Sequence, residues 1–110
     1  MRSTRDASLE QEKRIARLLD GRVVSNSGAR PFNKGDVITD FALIDGKTVM
    51  EKQKSITLQK EYFTTIKEQA FSHNRDFGVI AFDFGDGEDY YAVDARTFKK
   101  LVDAYKEAWT

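Results

Sequence analysis

The sequence predicts an α/β fold, a mixed β-sheet flanked by helices. Three observations carry that expectation. Helical and strand signals follow one another in the order helix, strands, helix, strands, helix. The helical stretches repeat apolar residues at i, i+3, i+4 and i+7. The strand stretches are short, apolar and bounded by Gly, Asn or Asp. A chain of 110 residues is sized for one modest core, so a single domain over 1–110 is expected.

Taken in order, residues 1–7 are expected to fray. Ser8-Leu9-Glu10-Gln11 has the form of a capping box, a hydroxyl followed three residues later by Gln. A first helix is expected from there to about Leu19, where Asp20-Gly21 stops it. Residues 22–25 read as a short strand, and residues 26–34, with the only proline of the chain, as a loop. Residues 36–48 favour strand with a turn at Thr39-Asp40, and residues 49–55 are polar and without a clear signal. A second helix over about 58–72 places Leu58, Tyr62, Ile66, Gln69 and Ala70 on one stripe. Residues 77–84 form an apolar strand, Gly85-Asp86-Gly87 a hairpin turn, and residues 90–93 the returning strand. Asp94 caps a last helix whose Phe98, Leu101, Val102, Tyr105 and Trp109 line one face. That face is expected to be core, with a dimer contact as the alternative.

Composition narrows the chemistry. The chain has no cysteine and one histidine, so a thiolate metal site and a disulfide framework are both excluded. The lack of cysteine fits a reducing compartment. His73 lies in the polar run SHNRD and reads as a solvated loop residue. A metal site would therefore be built from oxygens, which suits magnesium or manganese. No stretch approaches the roughly 20 apolar residues that span a bilayer, and the first residues lack the apolar core of a secretion signal. Net charge is zero, but residues 1–35 carry eight basic and four acidic side chains, whereas residues 36–110 carry ten and fourteen. The basic first third has the form of a footprint for phosphates, or of ordinary surface charge.

Three features bear on catalysis. Glu12 shares a helical stripe with Ile15, Ala16 and Leu19, and a carboxylate aimed at a core needs a partner or a metal; the alternative is a boundary residue bent out to water. Gly35-Asp36-Val37 puts a carboxylate at the entrance to a strand. Asp45-Gly46-Lys47 follows the apolar run Phe41-Ala42-Leu43-Ile44. If the strand continues, Asp45 and Lys47 share a face about 6.5–7 Å apart. Two carboxylates from neighbouring strands would then hold a divalent cation that activates water, with the lysine stabilising charge on phosphorus. Alternatively Asp45-Gly46 is a type I′ hairpin turn.

Together these features make the pattern Glu-x23-Asp-x8-Asp-x-Lys, with a Ser-Gly-Ala loop before the first Asp. It resembles the PD-(D/E)xK nuclease superfamily, and within it the small Holliday-junction-resolvase-like endonucleases of phages and prophages. The resemblance runs from about Ser8 to Leu101 through QEKRIARLL, SGARPFNKGDV, FALIDGKT, KSITLQKEYFTTIKEQAF and IAFDFGDGEDYYAVDARTF. It implies a restriction-endonuclease-like core and Mg2+- or Mn2+-dependent hydrolysis of a phosphodiester in branched DNA. It also implies a twofold homodimer, since symmetric cleavage of a junction needs two sites, and residence in the cytoplasm of a bacterial host cell. The catalytic set it implies is Glu12, Asp36, Asp45 and Lys47. Asp36 and Asp45 would be metal ligands, Glu12 a third ligand, direct or through water. Ser27, Arg30, Lys34 and Lys60 would meet DNA.

The chain departs from the family at Asp45-Gly46-Lys47, where Glu-Cys-Lys is usual. Aspartate is one methylene shorter, and glycine weakens a strand. This departure motivates a rival expectation, a non-catalytic DNA-binding or assembly protein that retains the nuclease fold. Glu51-Lys52-Gln53 offers a second register for the motif and would suit the hairpin-turn reading of Asp45-Gly46.

Overall fold

The computed structural model describes residues 3–24 and 36–110. Eight elements follow one another: α1 (Thr4–Leu19), β1 (Arg22–Val23), β2 (Val37–Ile38), β3 (Ala42–Lys47), α2 (Lys60–Ser72), β4 (Phe77–Phe82), β5 (Tyr90–Ala92) and α3 (Ala95–Ala108). The five strands form one sheet in sequence order. β1, β2 and β3 pair antiparallel, β3 and β4 parallel, and β4 and β5 antiparallel. The expected α/β class and mixed sheet are therefore observed. The single parallel pair is joined through α2, because parallel neighbours need a crossover.

α1 begins earlier than the Ser8 box suggests. Ser3 is the N-cap: its hydroxyl accepts from the Asp6 amide at 3.1 Å, and the Asp6 carboxylate accepts from the Ser3 amide at 3.3 Å. This upstream box satisfies two of the amides that a helix start leaves open. Residues 4–7 are consequently helical rather than frayed, and Ala7 is buried at 2% exposure. The helix ends as expected, with Asp20 in the left-handed region at φ 57°.

Side-chain alternation along β3 assigns the two faces of the sheet. Ala42 and Ile44 point toward α1, packing with Ile15, Val37 and Ala81. Leu43 points toward α2, packing with Ile38, Ile66, Ala70 and Ile80. Both faces of β3 and β4 are thus covered, which is why these strands read as apolar runs. Thr39 forms the turn between β2 and β3, its hydroxyl accepting from the amides of Phe41 and Ala42 at 3.2 and 2.9 Å. His73 closes α2 from the outside, its Nδ1 lying 2.9 Å from the Gln69 carbonyl, as expected of a solvated residue.

α3 corrects an expectation. Asp94 does cap it, accepting from the Thr97 amide at 3.0 Å. Its apolar stripe, however, is not core: Phe98, Leu101, Tyr105 and Trp109 are exposed, and Thr97 is the only residue of the helix that is buried. Amphipathicity identifies an apolar face but not what lies opposite it.

The α2 backbone approaches β4 closest at Gly78. A methyl group there would lie 2.7 Å from the Ile66 carbonyl oxygen and 2.9 Å from the Lys67 nitrogen. Backbone cannot yield as a flexible side chain does, so Gly78→Ala must push α2 off the sheet. The expected loss is about 1–3 kcal/mol, read as a lower urea midpoint at unchanged m-value.

Candidate active site

β3 does not turn at Asp45-Gly46. It runs straight through Lys47, with Asp45, Gly46 and Lys47 level with Ile80, Ala81 and Phe82 of β4. The hairpin-turn alternative is thereby removed. Alternation sends Asp45 and Lys47 to the α2 face and Gly46 to the α1 face. Asp36 lies one residue before β2 and is held twice to β3. Its amide donates to the Ile44 carbonyl at 2.7 Å, and its Oδ2 accepts from the Gly46 amide at 2.7 Å. A side chain thus continues the β2–β3 ladder where the backbone pairing stops, seating the Asp36 carboxyl against Asp45.

Lys47 is fixed from two sides. Its Nζ lies 3.0 Å from Asp45 Oδ2 and 4.1 Å from the centre of the Tyr62 ring on α2. The ring face attracts the ammonium and limits the freedom of a long side chain. Beside Lys47 opens a cleft of about 350 Å³, lined by Thr4, Ser8, Thr48, Thr57 and Tyr62 together with Gly46, Val49 and Ile56. The ammonium of Lys47 and the hydroxyl-bearing residues give this lining a partly polar character.

α1 supplies Glu12 from the other side. Its position is set by its neighbour Gln11, whose Nε2 donates to the Lys47 carbonyl at 3.1 Å and to Asp89 Oδ1 at 3.3 Å. Gln11 is 1% exposed. Arg14, one turn on, binds Asp89 through Nε and Nη2 at 2.9 and 2.8 Å, and Asp83 through Nη2 at 3.1 Å. Asp83 also accepts from the Thr48 hydroxyl at 3.3 Å. α1, the end of β3 and the loop between β4 and β5 are therefore locked together at the candidate site. Gln11, Arg14 and Tyr62 were not among the residues read from sequence. Gln11 and Arg14 lack a motif, and the helical stripe of Tyr62 marks packing, not contact with Lys47.

Glycine is required at position 46 by this packing. A Cβ there would lie 2.5 Å from Gln11 Oε1 and 3.2 Å from Gln11 Cδ. Gln11 occupies the space that a side chain in the middle of the Asp-x-Lys motif would fill, which gives the Asp-Gly-Lys departure a packing reason.

The electrostatics are those of crowded carboxylates. The Asp36 carboxyl is pushed up to about 7, first by desolvation, then by its side-chain hydrogen bond to Asp45 and the charges of Asp45 and Glu12; the Gly46 amide opposes the rise. Glu12 is also raised, by burial and then by Asp45. Among the described residues no group of three His, Cys, Asp or Glu converges tightly enough to hold a metal ion by itself. The contacting pair Asp36–Asp45 nevertheless has the donor chemistry of a hard-cation site. Both are oxygen donors, and among the described residues one ammonium, that of Lys47, lies against them.

The remaining expected residues divide in two. Lys60 is exposed at the start of α2, two residues before Tyr62. Ser27, Arg30 and Lys34 lie outside the described residues. Glu51, Lys52 and Gln53, the second register, are exposed in the segment between β3 and α2, with Gln53 donating to the Phe84 carbonyl at 2.9 Å. No family model, curated protein or solved structure matches the chain.

Two outcomes are expected. A carboxyl with a native value near 7, against 3.8 ordinarily, holds in the fold a proton that the unfolded chain has released. Stability from this group is full below about pH 4 and lost as pH rises through 7. Asp36→Asn removes that loss, so the variant should match the parent near pH 4.5 and melt roughly 5 °C higher at pH 8, by calorimetry at both values. Gly46→Ala should cost about 1–2 kcal/mol by displacing a buried, hydrogen-bonded Gln11. Combined with Gln11→Ala the added cost should largely vanish, a coupling that a double-mutant cycle in urea measures.

Proposed function

We propose that this protein is a metal-dependent endonuclease that hydrolyses phosphodiester bonds in branched DNA, with a restriction-endonuclease-like arrangement of its sheet. The observation that carries the reading is the seating of Asp36 against Asp45 and Lys47 at one end of the β2–β3 pair. Glu12 approaches from α1 within electrostatic range. Asp36, Asp45 and Lys47 lie against one another and Glu12 is near enough to feel the charge of Asp45, which supports the chemistry the motif requires.

In this reading Asp36 and Asp45 would hold Mg2+ or Mn2+, with Glu12 as the outer acidic residue. The ion, when bound, would supply charge neutralisation and water activation at the phosphate. Lys47 lies along the Asp45 side chain with its ammonium beside the cleft, and that cleft would take the sugar-phosphate backbone next to the cut. The ammonium orients the attacking water and balances the negative charge that grows on the phosphoryl oxygens. The water oxygen bonds to phosphorus and releases a proton to the surrounding water, the ester P–O bond opposite breaks, and the leaving oxygen takes up a proton from the surrounding water in return. Tyr62 and Asp45 keep the ammonium from swinging away between turnovers. One site makes one cut, so a junction opened symmetrically would require two copies of the chain.

The measurement that separates catalysis from binding is single-turnover cleavage of a four-way junction in Mn2+, beside a binding titration in Ca2+. Lys47→Ala should slow cleavage by about 10²–10³ with affinity little changed, since one phosphate contact among many is a small share. Linear duplex of the same sequence should be cut more slowly than the junction. A parent protein that leaves every DNA intact, or a Lys47→Ala variant that cuts at the parental rate, would overturn the reading.

A further inference from the structure

We infer that the pocket between the second half of α2 and the start of α3 is a nucleotide site, taking a phosphate group among Arg75, Arg96 and Lys100 and a flat base ring against Phe71. It shares no residue with the Asp36–Asp45–Lys47 site, and the inference does not depend on the nuclease reading.

The pocket has a volume of about 270 Å³ and lies between α2, the start of β4 and the first turns of α3. It opens at the Gly78 end of β4, whereas Lys47 lies level with Phe82 at the other end. Four of its lining residues are cations, Lys67, Arg75, Arg96 and Lys100, and two are carboxylates, Asp76 and Asp94. Lys67 and Asp94 offset each other at 2.9 Å, and Asp94 also caps α3 by accepting from the Thr97 amide at 3.0 Å. The other three cations share the wall with one carboxylate, Asp76.

That positive excess is not relieved among the described residues. Arg75 is half-buried and donates from Nε and Nη1 to the carbonyls of Thr39 and His73, at 2.7 and 2.9 Å. Carbonyls hold a guanidinium in place without neutralising it, and Nη2 is left over for a ligand. Arg96 and Lys100 stand one turn apart on α3, a spacing at which like charges repel. Among the described residues neither forms an ion pair, although Lys99 beside them takes Asp103 at 2.8 Å. Cations gathered around a concavity concentrate the field there and draw anions, and guanidinium groups match a phosphate with paired donors.

The base follows from Phe71. At 83% exposure it is the most open of the large apolar side chains among the described residues, and it lines the same pocket one turn after Lys67. An aromatic ring beside cations holds nucleotides without reading their sequence, the ring on the base and the cations on the phosphate. Inorganic phosphate or an acidic peptide would use the cations and leave the ring idle. Size fits the division. A pocket that encloses a whole drug-sized ligand starts at roughly 300 Å³, so this one takes the phosphate and sugar and leaves the base at the rim with Phe71.

The test is calorimetric titration of the full chain in EDTA with deoxyadenosine monophosphate, with inorganic phosphate and with a short oligodeoxyadenylate. The mononucleotide should bind about tenfold more tightly than phosphate, and both should weaken as salt is raised. Arg96→Gln with Lys100→Gln should weaken both by about tenfold or more. Phe71→Ala should weaken the nucleotide by about tenfold and leave phosphate unchanged. All three side chains are exposed, so the variants should melt at the parental temperature. An oligonucleotide that binds more tightly than the mononucleotide, and is lost with the same variants, supports a site for a nucleotide within a single strand; equal affinities support a site for the free nucleotide. A parent that takes up neither nucleotide nor phosphate at millimolar concentration overturns the site, as does a nucleotide affinity untouched by Arg96→Gln with Lys100→Gln. A nucleotide affinity untouched by Phe71→Ala overturns the seat of the base. No readout uses cleavage, so failure here and failure of the nuclease reading are told apart.

Discussion

The contact between Gln11 and Gly46 sets the depth at which α1 lies on the sheet. Because position 46 has no side chain, an amide can enter that space and donate to the carbonyl of Lys47. Glu12 follows Gln11 on the helix, so the same contact that buries Gln11 brings Glu12 toward Asp45 and Asp36. A larger residue at 46 would displace the Gln11 amide from this space and loosen the contact that seats α1 beside Asp45. The weak point of the strand, a glycine between Asp45 and Lys47, is therefore what permits the acidic residues to gather. Asp36 compensates for it by bonding the Gly46 amide from the neighbouring strand. An exposed helix end would not need this arrangement; a buried glutamine does, since its amide must find partners when water is excluded.

How much of this was legible in the sequence follows from what each signal encodes. The order of elements could be read because apolar periodicity reports burial directly: Ile66 and Ala70 on α2, and the run Leu43-Ile44, lie inside as their spacing implied. The turn at Thr39 could be read from its hydroxyl chemistry. The start of α1 was misread because two capping boxes lie five residues apart. The downstream one at Ser8 would leave Ala7 outside the helix and engage Gln11 as a cap. In the fold Ala7 packs in the interior and Gln11 is bonded to Lys47 and Asp89, so the helix starts at Ser3 instead. Asp36, Asp45 and Lys47 were legible from their spacing on adjacent strands. The roles of Gln11 and Arg14 were not, because a polar residue buried by long-range partners looks the same in sequence as one facing water. α3 shows the opposite failure: its stripe was plain, but nothing along a single chain says whether the opposing surface belongs to that chain.

Two groups of acids lie near the C-terminal ends of β3 and β4, and their charge balance distinguishes scaffold from site. Asp83 and Asp89 share the guanidinium of Arg14, which meets Asp89 with two donors and Asp83 with one, while Thr48 and the Gly85 amide complete Asp83. Both aspartates are nearly inaccessible, at 5% and 9% side-chain exposure. Planar bidentate pairing of this kind holds a carboxylate in one orientation. Glu12, Asp36 and Asp45 differ in each respect. Among the described residues one ammonium lies against these carboxyls, and the Asp45 and Lys47 side chains remain 26% and 33% exposed. Asp36 retains a proton toward neutrality because desolvation and its acidic neighbours outweigh the opposing hydrogen bond from the Gly46 amide. The first group has been neutralised by the fold and acts as a fastening. The second is left short of positive charge at an accessible edge, beside the Lys47 cleft. A folded chain keeps such a deficit only where the surrounding packing outweighs its cost, and here that packing is the fastening itself, which anchors α1 at Arg14, two residues beyond Glu12.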